Sequence, residues 1–94
     1  MYARVVRFTD VTRERIDEIK ARVEAEDGPP PGVDATGMKM LYDADQSTGT
    51  FIAFFANEEN MRAADEIFRN MDADATPGTR ASIDQCEVVL ERDA

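Results

Sequence analysis

The sequence predicts one α+β domain across residues 1–94, with its elements in the order β-α-β-β-α-β. Three observations predict it. Ile16, Ile19 and Val23, and later Met61, Ala64, Phe68 and Met71, recur at steps of three and four, the spacing of one helix face. Four other segments are rich in β-branched, aromatic or alternating apolar residues and are bounded by turn residues, as strands are. One of them, Thr50–Ala56, is apolar on both faces and so needs cover on both sides.

Tyr2–Phe8 reads as the first strand. Thr12 is placed to cap the helix that follows, with Val11 stapled onto Ile16 four positions in. That helix is expected to stop near Asp27. There Gly28-Pro29-Pro30-Pro31-Gly32 offers a C-terminal glycine and then residues that cannot continue a helix. Thr36–Asp43 reads as the second strand, with Met38, Met40 and Tyr42 on one face and Gly37, Lys39 and Leu41 on the other. The turn Asp45–Gly49 joins it to the third strand as an antiparallel hairpin. Asn57 caps the second helix, and Glu58 and Glu59 in its first turn complement the helix dipole. Asp72–Thr79 is expected to be a loop. Arg80–Glu91 closes as the fourth strand, with Cys86, Val88 and Leu90 on one face and Ile83 and Val89 on the other. The whole is a ferredoxin-like pattern, a four-stranded antiparallel sheet with two helices on one face. Helices cover only that face, so the two-sided third strand calls for a second copy of the chain on the other. A homodimer is expected.

Composition excludes several functions. Val, Ile, Leu and Phe make up 19 of 94 residues, few for a charged chain, so pattern rather than composition argues for a folded core. Twenty acidic residues against eleven basic leave a net charge of −9, which argues against nucleic acid and anionic membranes as partners. With no His there is no His triad, no His metal site and no imidazole proton shuttle. One Cys allows neither an internal disulfide nor a thiolate cluster, and without a His to activate it Cys86 reads as a packed, inert thiol. No glycine-rich phosphate loop joins a strand to a helix, so no metal, haem or flavin is expected. No run approaches the ~18 apolar residues of a membrane span. Arg4 and Arg7 interrupt the first strand, so it is not a signal-peptide core. A cytoplasmic protein is the expectation.

Gly37–Tyr42, the Asp43–Gly49 turn and the run Phe54-Phe55-Ala56-Asn57-Glu58-Glu59-Asn60-Met61 together resemble the antibiotic biosynthesis monooxygenase-like proteins. The resemblance implies a dimeric α/β barrel, two sheets packed face to face. In that family a Trp often ends the third strand and a His often follows on the second helix; Phe55 and Ala64 stand at those positions here. The haem-degrading branch of the same fold needs an axial His that this chain lacks.

Tyr42 shares a strand face with Met38 and Met40, so it is placed either to offer a phenol to a ligand in an apolar pocket or to sit at a core edge. Lys39 and Arg4 or Arg7 would bring cations to the barrel and stabilise an enolate or phenolate, or would pair with Asp84 or Glu87 across strands. Asn57 would position a substrate oxygen, as the resemblance implies, or serve as the helix cap alone. Met38, Met40, Met61 and Met71 would line an adaptable pocket or pack the core.

Two readings follow. One is a non-catalytic dimeric barrel that binds a small apolar or aromatic ligand through Met38, Met40, Asn57 and Phe55. The other is a cofactor-independent, monooxygenase-like enzyme acting on a small aromatic or polyketide-like substrate, with Tyr42, Lys39 and Arg4 as its catalytic groups. An enclosed pocket where Tyr42, an arginine and Asn57 converge would favour the enzyme; a filled core would favour the binder.

Overall fold

The structure is a computed structural model and describes residues 1–70 and 76–94. Its elements run β1 (Tyr2–Thr9), α1 (Arg13–Ala25), β2 (Gly37–Asp43), β3 (Thr48–Phe55), α2 (Glu58–Arg69) and β4 (Thr79–Glu87). The four strands form one sheet in the order β2-β3-β1-β4, and every neighbouring pair is antiparallel. This agrees with a ferredoxin-like arrangement.

Both helix starts form as their residues require. The Arg15 N–H donates to Thr12 Oγ1 at 3.1 Å, and Val11 and Ile16 pack in one cluster. At α2 the Asn60 N–H donates to Asn57 Oδ1 at 2.8 Å. In the hairpin turn, Asp43 Oδ1 accepts from the Asp45 and Gln46 N–H groups, while Asp43 Oδ2 accepts from the Gln46 side-chain amide. That turn lets β3 begin at Thr48, two residues before the expected start.

Two ends differ more. Helix α1 stops at Ala25 with Glu26 extended, and Gly28 has no left-handed conformation. The glycine that needs one is Gly32, at φ +87°, third residue of a turn in which the Val33 N–H donates to Pro30 O. Proline second and glycine third are what a type II turn favours. Strand β4 stops at Glu87 rather than Glu91. Its neighbour β1 begins at Tyr2, where the ladder pairs Tyr2 with Glu87, and the Val88 N–H makes one further bond to Met1 O. Val89 and Leu90 therefore sit on no sheet face and stand 87% and 80% exposed. Of the expected loop Asp72–Thr79, residues 72–75 lie outside the described residues, as does Met71, and Thr79 belongs to β4.

Strand periodicity sends Tyr2, Arg4, Val6 and Phe8 to one face of the sheet, together with Phe51, Ala53 and Phe55. Both helices pack there. One cluster joins Val6, Phe8, Val11 and Ile16, flanked by Met40, Tyr42 and Phe51; Phe8 meets Phe51 edge-on at 5.3 Å. The second joins Val33, Phe55, Met61 and Ala64, flanked by Tyr2, Ile67 and Phe68. The opposite face carries Ala3, Val5, Arg7, Lys39, Leu41, Ile52, Phe54 and Asp84, and neither α1 nor α2 packs over it.

Beyond β1 the chain is locked by a close backbone approach. A Cβ at Gly78 would lie 2.4 Å from Thr9 O and 3.2 Å from Asp10 O, both backbone atoms that cannot swing aside. Gly78→Ala is expected to lower stability by about 1–3 kcal/mol, the usual range for overpacking. Gly49→Ala, whose Cβ would find only ordinary contacts from 3.6 Å outward, should be near neutral. Thermal melts of the two variants side by side check this; equal shifts would refute it.

Candidate functional site

Arg4 and Asp65 form the most buried charged pair of the described residues. Arg4 lies mid-β1 on the helix side, and Asp65 sits on α2 four residues after Met61, within the stripe that faces the sheet. Arg4 Nε donates to Asp65 Oδ1 at 2.8 Å, with side-chain exposures of 7% and 12%. Arg69 Nε donates to the other oxygen at 2.7 Å. The Arg4 guanidinium also lies over the Phe68 ring at 5.0 Å, a cation–π contact. Burial pushes the Asp65 carboxyl up, but the hydrogen bonds and charges of Arg4 and Arg69 outweigh it and hold its pKa below the ordinary aspartate value. Arg4 Nη2 and Gln85 Oε1, on residues paired across β1 and β4, are buried and have no hydrogen-bond partner among the described residues. Arg4 thus pairs with Asp65 on α2 and not with Asp84 or Glu87 on the fourth strand. A carboxylate inside an apolar helical stripe was the signal available.

Tyr42, Met40 and Met38 line the helix side of edge strand β2 as expected. Tyr42 and Met40 are half-buried against the first cluster, and Met38 is 49% exposed. The Arg13 guanidinium stacks over the Tyr42 ring at 4.8 Å. Lys39 is exposed on the opposite face of the sheet. Asn57 spends its side-chain oxygen on the cap of α2, and Phe55 is fully buried in the second cluster. Cys86 is exposed on the uncovered face rather than packed.

These positions do not converge. The register places Arg4 opposite Ala53 and Tyr42 opposite Gly49, with β3 between them. Their backbones are thus about 13 Å apart along the strands and about 10 Å across them. Lys39 is separated from both by the sheet itself. Two open clefts lie elsewhere. One of about 290 Å³ runs along Arg69 and Arg80–Ile83; another of about 580 Å³ lies beside Asp10, Arg15 and Pro77. Neither touches a residue nominated from the sequence. Among the described residues no group of three His, Cys, Asp or Glu side chains is placed to hold a metal ion, and no helix is long and apolar enough to cross a membrane.

Comparison with protein-family models, curated proteins and solved structures finds no match to this chain.

Proposed function

We propose that the protein is a homodimeric α/β barrel, its two sheets packed face to face, that binds a small apolar or aromatic ligand without transforming it. One observation carries this reading: the helix side of the sheet is filled by two apolar clusters, while the other face of the same strands has an apolar centre, Ala3, Val5, Ile52 and Phe54, that neither helix covers. The ligand lies on the helix side of β2, where Met38, Met40 and Tyr42 form a partly open row. Methionine thioethers adapt to varied shapes, and the tyrosine ring adds a flat apolar surface. Phe55 and Asn57 take no part in this row: Phe55 fills the second cluster and Asn57 caps α2. The architecture is the one the antibiotic biosynthesis monooxygenase-like resemblance implies.

The enzymatic alternative draws on one observation, the buried Arg4 Nη2 that has no acceptor among the described residues and would suit an anionic oxygen. A single set of measurements separates the readings. Light scattering at micromolar concentration is expected to report a dimer; a stable species with the mass of one chain overturns the barrel. Titration with an anthrone or a hydroquinone should shift the methyl NMR signals of Met38 and Met40 and leave Met61 in place. Unchanged spectra at millimolar probe overturn the ligand site. Turnover above buffer, lowered at least tenfold in Tyr42→Phe, would replace the binding reading with the enzymatic one.

A further inference from the structure

The uncovered sheet face carries an ordered row of charge. Strand register puts Lys39, Ile52, Val5 and Asp84 side by side across β2, β3, β1 and β4: a cation at one edge, two apolar side chains in the middle, an anion at the other edge. Lys39 and Asp84 are both exposed, and neither makes an ion pair within its own chain among the described residues. We propose that two copies pair about a two-fold axis running along the strands, so that Lys39 of each meets Asp84 of the other. This rests on the face-to-face dimer read above and adds its orientation.

The rows distinguish the possible axes. An axis along the strands turns each row end for end. Lys39 then faces the partner's Asp84, and Ile52 faces the partner's Val5. In the next row, Gly37-Phe54-Ala3-Cys86, the large Phe54 ring lands on the partner's small Ala3. An axis across the strands leaves each residue on its own strand. Lys39 would then face Lys39 and Asp84 would face Asp84. The Phe54 row would lie on the Leu41-Thr50-Arg7-Ser82 row, setting Ala3 against the Arg7 guanidinium. Like charges at both edges and a cation over an apolar centre disfavour that arrangement. Sheets pack about 10 Å apart, a gap that a lysine stem and an aspartate side chain cross together. A four-stranded face of this length spans roughly 500 Å² in projection, so two copies cover about 1,000 Å², the lower bound for a specific interface.

Charge reversal reads the axis directly. Lys39→Asp alone and Asp84→Lys alone each place two like-charged pairs at the interface, and each should weaken self-association at least tenfold. Circular dichroism should show both folded, since the two side chains are exposed. Mixed one to one, the variants should form a heterodimer, visible by native mass spectrometry, because both contacts become opposite in sign. If wild type is monomeric, the dimer reading falls and this proposal with it. A dimeric wild type whose two variants self-associate unchanged, or whose mixture shows no preference for the heterodimer, overturns the orientation alone. Preferential pairing of Lys39→Asp with wild type would do the same, since it marks the crosswise axis.

Discussion

Asp65→Ala is expected to cost about 3–5 kcal/mol of folding stability, because it leaves the buried Arg4 guanidinium without its carboxylate. Domains are typically stable by only about 5–15 kcal/mol, so this is a large share of the whole. In a thermal melt the midpoint should fall by more than about 12 °C for a chain of this size. Arg4→Met should cost clearly less. Asp65 keeps Arg69 at 2.7 Å, and the methionine stem still covers part of Phe68. Equal losses below about 1 kcal/mol in both variants would mean that the pair behaves as an exposed one. The same carboxylate sets an acid limb. Its pKa is depressed in the folded state, so its contribution is complete above the unfolded value of about 3.9 and fades as pH falls through the folded value. Urea denaturation of Asp65→Asn should therefore change less than wild type between neutral and strongly acidic pH. A parallel fall in both would remove Asp65 from the acid response.

Phe55→Ala is the second large expected loss, about 3–5 kcal/mol, from burial undone and a cavity opened beside Met61 and Ala64. Its neighbour gives the contrast. Phe54 points to the uncovered face of the same strand and is only half-buried, so Phe54→Ala should cost less in solution dilute enough to dissociate the proposed dimer. Raising the protein concentration should widen the Phe54→Ala deficit while leaving that of Phe55→Ala nearly constant. Matching losses at all concentrations would contradict the assignment of the two faces.

The alternation and caps that distinguish these faces were legible in the sequence. Thr12, Asn57 and the Met38-Met40-Tyr42 row act locally, through a hydrogen bond three residues away or a period of two along one strand. What the sequence hid was whatever depends on a neighbour's length or position. The pattern through Val88, Val89 and Leu90 continues a strand, yet the ladder ends where β1 begins. Arg4 finds Asp65 sixty-one residues away on a helix, and no local period points from one to the other. The candidate site fared likewise. Tyr42 and Arg4 do share a face, but only the register reveals the four-residue offset and the intervening strand that keep them apart.

The position of β1 in the sheet also sets a schedule. Of these four strands the one synthesised earliest lies between the third and the fourth, so its two ladders must wait for partners made much later. β4 starts at residue 79 and β1 at residue 2, a delay of roughly 4–15 s at ribosomal speeds of ~5–20 residues per second. Throughout that interval one edge of β1 has bare amides and carbonyls, and its Val6 and Phe8 lack the Ile83 side of their cluster. Non-local pairing of this kind slows folding and lengthens exposure to misassociation. Over that delay the chain's excess of negative charge opposes the meeting of its apolar strands with those of another chain.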